Sequence, residues 1–384
     1  MRNIILISIF LIGSLFASPQ ADIVAKKVSM DLSRISYKSH IWNSVEFSNI
    51  TFYPQTTVRL NDKTANEKLA HTGAKVASIG AIYNQKHIAF MIKWPDESMN
   101  ILKGYESDIY ADGFAVEFVV GDINVSSLPH VAMGSKGRPV IVHLQKAVRD
   151  FYEPNGRGNV RYQLDDQNVN LFARELKQFD KKVRKIASND YEKSFISEGF
   201  GSMSEIKDDS SNSYARVAYR HKMWLGTLSR KLKDEYVNLD RDSIAVAFAL
   251  FDGEKNHRGA NKIITSWLSV KLREGKGVDE LIDTIDIKAD GNVSIGRKLA
   301  LKHGCKECHQ LQADDKANPK APNLQNIGGY QTASYLKESL VSPSAVIVAG
   351  YAKKTQMKNY SYLSEDELND LISYLQTLKA EVRE

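Results

Sequence analysis

Cysteine is nearly absent from this chain, because Cys305 and Cys308 are the only two in 384 residues. A single pair of cysteines provides no framework of structural disulfides, so packed apolar cores have to stabilise the fold. An excess of charge of one sign is also missing, since 52 Lys and Arg are balanced by 46 Asp and Glu for a net charge of +6. The two signs are interleaved, and no nucleic-acid partner is expected.

Long apolar runs are missing after the first residues. Residues 4–16 are almost entirely apolar, follow Arg2 and precede Ala17-Ser18-Pro19. This pattern is typical of a secretory signal peptide, which we assign to residues 1–18; an uncleaved membrane anchor is the alternative. No other segment is apolar enough to cross a membrane. We therefore expect an exported soluble protein of about 365 residues, enough for two domains.

The two cysteines lie in Cys305-Lys306-Glu307-Cys308-His309. C-x-x-C-H is the attachment site of a c-type haem, in which both thiols bond to the haem vinyl groups and the imidazole binds the iron. Two intervening residues allow one tight turn to present both sulfurs to the same haem. A disulfide or redox pair is the alternative, but it does not need the histidine. Covalent haem in an exported protein indicates the bacterial periplasm.

An iron that only carries electrons needs a sixth ligand, and Met357 is the best candidate near the motif. Its soft thioether suits ferrous iron, and His/Met ligation raises the reduction potential relative to His/His ligation. The alternative is that Met357 is a packing residue. His303 is too close to the motif to reach the opposite haem face. Residues 321–324, Ala-Pro-Asn-Leu, can form a loop around the haem.

Residues 22–272 are predicted to be mostly strands. Ala81–Tyr83 and His87–Trp94 flank a polar turn, as in a β-hairpin. Further short strands favour a β-sandwich. They are Gly113–Val120, Pro139–Leu144, Tyr214–Tyr219, Trp224–Leu228, Ile244–Phe251 and Ile263–Leu272. The charged segment Val169–Lys193 is predicted to be a helical insertion, and the Gly- and charge-rich residues 273–290 a linker.

Residues 291–384 have helical periodicity, with a capping box at Ser364–Glu367 before the last helix. Several pieces match in order: a helix with Gly296, the Cys305–His309 motif, Pro322-Asn323-Leu324, the stretch Gly350–Met357 and the terminal helix ending at Leu378. Together they resemble a class I cytochrome c domain, which implies a small all-α fold. That family commonly has proline after the methionine ligand, whereas here the residue is Lys358.

The first region contains a further set of short sequence motifs. They are Ala89–Asp96, Ala111–Phe118, Met133–Val140, Ala245–Gly253 and Gly259–Trp267. Together they resemble the haem b domain of ethylbenzene dehydrogenase-like proteins. This is the γ-subunit type that accompanies periplasmic molybdenum enzymes of the dimethyl sulfoxide reductase family, which include dimethyl sulfide dehydrogenase and the selenate and chlorate reductases.

The resemblance implies a non-covalent haem b in the sandwich, with a methionine and a lysine as axial ligands. Met133 matches the methionine by motif position, and Lys262, in the turn before Trp267, is our choice for the lysine. A ligating lysine must be neutral, so burial has to lower its pKa well below about 10.4. The alternatives are a packing role for Met133 and a solvated turn position for Lys262. Rival second ligands are Lys231, Lys222, His130, His143 and His257.

The sequence thus predicts a dihaem electron-transfer protein that is not itself an enzyme, since two six-coordinate irons leave no open position. The expected partners are a molybdenum-containing catalytic subunit with an iron–sulfur subunit, and a soluble or membrane electron carrier. Two other functions stay open. One is a haem peroxidase, which needs an open iron and an acid–base pair. The other is a cytochrome c tethered to a ligand-binding sandwich without haem b.

Overall fold

The computed structural model describes residues 21–101, 110–122, 128–147, 191–206, 212–275, 279–316, 321–348, 351 and 357–383. The predicted signal peptide and residues 169–190 of the predicted helical insertion lie outside these ranges. The last three residues of that segment, Tyr191 to Lys193, are strand rather than helix, because they pair with residues 144–146 of a neighbouring strand. The end of the predicted helix is therefore wrong.

Strands dominate the first domain. They are β1 Ile23–Lys27, β2 Ser48–Pro54, β3 Lys75–Tyr83, β4 His87–Pro95, β5 Gly113–Val119, β6 Val140–Lys146, β7 Tyr191–Ser197, β8 Ser204–Glu205, β9 Ser213–Arg220, β10 Met223–Lys231, β11 Ser243–Phe251, β12 Ile263–Ile264 and β13 Leu268–Lys271. The predicted hairpin is β3 and β4, where Tyr83 pairs with Ile88. The predicted strand Ile263–Leu272 is divided into β12 and β13 at Thr265–Trp267.

The 13 strands of the described ranges form one continuous hydrogen-bonded sheet that folds over, so that its two layers pack face to face. The hydrogen-bonded order is β8-β7-β6-β5-β11-β12-β2-β3-β4-β10-β9, and β1 joins β3 to β13, which also pairs with β11. The ring of Phe90 on β4 lies 5.5 Å from that of Phe248 on β11 and 6.1 Å from that of Phe118 on β5. These contacts across the core confirm the predicted sandwich.

The two faces of β5 and β11 differ in side-chain size. Phe114, Val116 and Phe118 of β5 point into the sandwich core, as do the even-numbered residues Ile244 to Leu250 of β11. Successive residues of a strand point to opposite faces, so Ala115, Glu117 and the alanines of β11 lie on the outer face. These alanines are Ala245, Ala247 and Ala249. Because the alanine side chains are small, the outer face of β5 and β11 leaves space for a cavity.

Helices form the second domain, and two outliers precede it in the chain. The outliers are α1 Lys63–Ala70 and α2 Glu280–Asp286; the others are α3 Val293–Lys302, α4 Cys305–Cys308, α5 Ile327–Tyr330, α6 Ala333–Val341 and α7 Glu365–Thr377. Helix α2 lies in the predicted linker and packs on β11 and β13. Helix α7 begins with the predicted capping box, in which Ser364 and Glu367 exchange hydrogen bonds of 3.1 Å. Among the residues described, no helix is long and apolar enough to cross a membrane.

The two domains share one apolar core. Outer-face residues of β5 and β11 belong to the same cluster as Tyr330, Leu336 and Leu371 of the helical domain. Polar contacts also cross the boundary, including a bidentate ion pair in which Arg138 donates to Glu338 at 2.9 and 3.0 Å. The chain after α7 returns to the sandwich, where the N–H of Ala74 donates to the carbonyl of Glu381 at 2.9 Å. The second domain is thus packed against the first.

Candidate cofactor sites

The Cys305–His309 motif forms a single helical turn. Gly304 precedes it with φ +69°, a conformation that favours glycine and turns the chain sharply between α3 and α4. Cys305 stands at the start of α4 and is half-buried, whereas Cys308 stands at its end and is exposed. Neither cysteine is in a disulfide within the described part of the chain. Both thiols are therefore free to form thioether bonds on one side of this turn.

The ring of His309 is held by one of its two nitrogens. Nδ1 lies 2.8 Å from the carbonyl oxygen of Pro322, and since a carbonyl only accepts, Nδ1 carries the proton. The lone pair then belongs to Nε2. Burial lowers the pKa of His309, partly offset by the hydrogen bond to Pro322, so the imidazole is neutral at neutral pH. A neutral imidazole oriented through Nδ1 is what a metal-binding histidine requires.

The loop that holds His309 is itself fixed by hydrogen bonds. The side-chain amide of Asn323 donates to Oε1 of Gln310 at 2.9 Å, and the N–H of Leu324 donates to the Gln310 carbonyl at 2.8 Å. Met357 is half-buried and packs against the same apolar cluster as Leu324 and Cys305. The predicted loop and the predicted sixth ligand thus both pack against the apolar cluster that Cys305 also contacts, and residues 352–356 before Met357 are outside the described ranges.

A cavity of about 280 Å³ lies over the alanine face of the sandwich. A buried water needs roughly 10–15 Å³ of such space, so the cavity is large enough for a sizeable group. Its floor is formed by Ala115, Ala247 and Ala249, and apolar side chains such as Val142 and Phe251 line its sides. Broad apolar cavities with a few polar groups are the usual form of cofactor sites.

Lys262 is a buried lysine that lines this cavity. Its side chain is 7% exposed, and Nζ donates to Oε1 of Gln55 at 2.9 Å and to the carbonyl of Gly259 at 3.1 Å. Burial lowers the pKa of Lys262 to about 8, against the opposing effect of the nearby Glu117 carboxylate. A neutral amine has two N–H groups and one lone pair, so two acceptors leave the lone pair free for a metal.

Met133 lies beside the cavity rather than on its described wall. Its neighbours Val131 and Ala132 line the cavity, whereas Met133 is half-buried and is not among the described lining residues. The Met133 carbonyl accepts from the hydroxyl of Ser197 and the N–H of Gly199, each at 2.8 Å. Ala132 has φ +78° and its N–H donates to Glu117 at 2.9 Å. The two predicted haem b ligands therefore lie in segments that meet at the same cavity.

The rival lysines lie elsewhere. Lys222 is an exposed turn residue in an ion pair of 2.5 Å with Glu97. Lys231 ends β10, where its Nζ donates to Oδ1 of Asn212 at 3.0 Å. Neither is among the described residues that line the cavity.

The three rival histidines differ in availability. Both ring nitrogens of His143 are engaged inside the sandwich, one with Ser194 and one with Arg230, each at 2.7 Å. His130 lies at the domain boundary, where Gln331 donates to its Nε2 at 3.1 Å. His257 lines the cavity, and its Nε2 has no hydrogen-bond partner within the described ranges. Burial lowers the pKa of His257 to about 3 and keeps it neutral.

Three functional candidates were missed in the sequence: Glu117, Lys146 and Gln55. Lys146 lines the cavity, donates to the Ala111 carbonyl at 3.0 Å, and has a pKa that burial lowers to about 7. Glu117 also lines it, and burial raises its pKa to about 8. A lone charge within the apolar run of β5 was the available signal for Glu117, because charged residues are rarely buried without a purpose. Gln55 gives no such signal in the sequence, because it lies in a polar turn beside Thr56 and Thr57, where a glutamine is ordinary.

Both sites lie in stretches that match known families. Residues 39–262, more than half of the chain, match the family described as ethylbenzene dehydrogenase. The chain belongs to the ethylbenzene dehydrogenase family. Residues 293–379 of this family member match cytochrome c. Its second domain is thus a cytochrome c domain with covalent haem c, fused to an ethylbenzene dehydrogenase-like domain, which makes the chain an electron-transfer protein.

No curated protein matches this member of the ethylbenzene dehydrogenase family. Similar solved structures include a family 9 carbohydrate-binding module from Caldicellulosiruptor kristjanssonii in complex with glucose, at 8% identity and a TM-score of 0.29. That match covers 67% of this chain and 97% of the module. The complex of the module with cellotriose has the same identity and TM-score and covers 66% and 94%. At such TM-scores the likeness carries no functional weight.

Proposed function

We propose that the chain is an exported dihaem protein that relays electrons between a partner redox enzyme and another carrier. The observation that carries this proposal is the alanine-floored cavity with the buried Lys262, placed on the sheet face that shares its core with the cytochrome c domain. Covalent fusion of two redox modules keeps each at high effective concentration to the other.

The residues of each site have distinct tasks. Cys305 and Cys308 would bind haem c covalently, and His309 and Met357 would hold its iron. Lys262 and Met133 would hold the haem b iron, with the Gln55 and Gly259 oxygens orienting the Lys262 amine. A bound haem supplies a one-electron redox centre at each site. The apolar walls exclude water and lower the pKa of Lys262 to about 8, because burial disfavours its charged form; the amine therefore loses its proton to bind a metal more readily than an exposed lysine does.

The proposed location and the proposed partners rest on the signal peptide and on the resemblance of the first domain. Residues 1–18 have the pattern of a signal peptide, which supports a periplasmic location. The resemblance of the first domain to γ subunits supports a molybdenum-containing catalytic subunit and an iron–sulfur subunit as partners, with a soluble or membrane carrier at the other end. Purification of the native complex followed by molybdenum analysis tests this part. A complex without molybdenum would contradict it.

A quantitative haem assay tests the dihaem proposal. Purified mature protein is expected to contain one covalent haem and one haem that acid acetone extracts per chain. Only the covalent haem would contradict the haem b site and favour a binding module tethered to cytochrome c. Rapid carbon monoxide binding by the reduced protein would contradict six-coordination and favour a peroxidase.

Two variants test the haem b ligands. Lys262→Ala and Met133→Ala are each expected to lose the extractable haem or change its absorption spectrum while the covalent haem stays in place. Lys231→Ala is the matched control, since Lys231 binds Asn212 outside the cavity. An unchanged spectrum in Lys262→Ala would contradict Lys262 as the ligand and favour His257, which lines the same cavity and whose Nε2 has no hydrogen-bond partner among the described residues.

A further inference from the structure

The turn after β2 touches both candidate sites. Gln55 is fully buried, and its Oε1 accepts from the Lys262 amine at 2.9 Å. Its backbone N–H donates to the Lys262 carbonyl at 3.0 Å, so two hydrogen bonds fix Gln55 to this residue. The next residue, Thr56, is 8% exposed and faces the second domain, where its hydroxyl donates to the carbonyl of Asn323 at 3.3 Å.

The contact at Asn323 leads directly to His309. Asn323 follows Pro322, whose carbonyl accepts from Nδ1 of His309 at 2.8 Å. The two peptide segments 55–56 and 322–323 therefore connect Lys262 Nζ to His309 Nδ1 through three hydrogen bonds. These join Lys262 to Gln55, Thr56 to Asn323 and His309 to Pro322. All other links along the way are covalent bonds.

This continuity bears on electron transfer between the domains. Electronic coupling decays slowly along covalent and hydrogen bonds and steeply across gaps between atoms. Moving one electron oxidises one iron by one unit and reduces the other by one, with no proton or atom transferred. A connection between Lys262 and His309, each of which would hold one iron, thus lies where coupling between the two haems would be needed.

We propose that Gln55, Thr56, Pro322 and Asn323 form a bridge that couples the haem b ligand Lys262 to the haem c ligand His309. This inference rests on the proposed dihaem function and adds its internal route. Gln55 and Thr56 are positioning residues, because they act through Lys262 and Asn323. Their burial limits the competition of water for the hydrogen bonds that they make to Lys262 and Asn323.

Thr56→Val tests the bridge, because valine has nearly the same shape but no hydroxyl. Flash reduction of the full-length protein measures the intramolecular transfer rate, and a redox titration measures both reduction potentials. The expected result is a several-fold slower transfer with both potentials unchanged. Thr56→Ser keeps the hydroxyl that Thr56→Val lacks, and its transfer rate is expected to equal that of the parent.

Thr57→Val is the matched control. The Thr57 hydroxyl accepts from Tyr330 at 3.1 Å, so this variant also loses one buried contact between the domains but leaves the contact to Asn323 in place. Its transfer rate is expected to stay near that of the parent. Equal slowing in Thr56→Val and Thr57→Val would overturn the bridge and indicate general loosening of the interface.

Gln55→Leu examines the haem b end separately. Loss of the acceptor for the Lys262 amine is expected to shift the spectrum and potential of the extractable haem and leave those of the covalent haem unchanged. An unchanged spectrum and rate would overturn the role of Gln55. Parent protein without an extractable haem would overturn the dihaem function itself. Thr56→Val protein that keeps its extractable haem and transfers electrons at the parent rate would overturn the bridge alone.

Discussion

Glu117 and Lys262 are ionisable residues buried beside the same apolar cavity, and burial shifts the pKa of each. Burial raises the pKa of Glu117 to about 8 and lowers that of Lys262 to about 8. Both shifts favour the neutral form, which is the effect expected when charged groups leave water. A lower cost of the neutral forms suits the proposed binding of haem b, a large and mostly apolar group.

The raised pKa of Glu117 predicts how stability depends on pH. The folded protein keeps this proton up to about pH 8, whereas the unfolded chain releases it near 4.5. The folded state therefore binds more protons between these values, and the free energy of unfolding falls as pH rises. One such group contributes up to about 1.4 kcal/mol per pH unit. Glu117→Gln is expected to flatten this decline in urea unfolding at a series of pH values.

The control for this prediction is the exposed Glu235→Gln, which also removes one carboxylate. A decline that is just as steep in Glu117→Gln as in the parent would contradict the assignment. Asp112, whose pKa burial raises to about 7, acts in the same direction, so some decline is expected to remain in Glu117→Gln.

At the scale of elements, the second domain depends on the close approach of α3 and α7. A Cβ placed on Gly296 would lie 1.9 Å from the carbonyl oxygen of Asp370. The helices can approach this closely only because residue 296 has no side chain. Leu299 and Ala300 on the same face are buried with Leu371 and Tyr374 of α7. The contact with α7 thus explains why the helix of the cytochrome c motif has a glycine at position 296.

Gly296→Ala is predicted to destabilise the second domain. In an exposed helix this change stabilises by about 0.5–1 kcal/mol, whereas forcing an extra methyl group into a packed contact costs about 1–3 kcal/mol. We expect a lower midpoint of thermal unfolding, which can be measured through the haem c absorption. Lys298→Ala on the exposed face of α3 is the control. A Gly296→Ala protein at least as stable as the parent would contradict the helix contact.

At the scale of the whole molecule, the domains are joined by a shared core rather than by a flexible connection. Apolar residues of both domains form one cluster, and Arg138 pairs with Glu338 across the boundary. The segment after α7 also pairs with Ala74 of the first domain. An extensive apolar boundary favours joint unfolding of the two parts.

We therefore predict one cooperative unfolding transition. The four tryptophans, Trp42, Trp94, Trp224 and Trp267, all lie in the first domain, so their fluorescence reports that domain. Haem c absorption reports the second domain. Urea titrations followed by the two signals are expected to have the same midpoint and slope. Two separate midpoints would show that the domains unfold independently.

Local patterns were sufficient for much of the fold. The hairpin of β3 and β4, the capping box of α7 and the Cys305–His309 turn are set by neighbouring residues, and the sequence predicts them. The strands β1, β2, β7 and β8 were missed. The end of the predicted helical insertion was wrong because strand pairing of β7 with β6 overrides the helix-favouring composition.

The sequence by itself determined the covalent haem motif and the two-domain order, because these depend on residues close together in the chain. The tertiary structure alone decided that Lys262, Glu117 and His257 line one cavity, whereas Lys222 and Lys231 do not. It also brought Thr56 to Asn323 across 267 positions of chain. Burial and contact of this kind arise only when distant segments pack, since the packing sets both the pKa of a buried group and its hydrogen-bond partners.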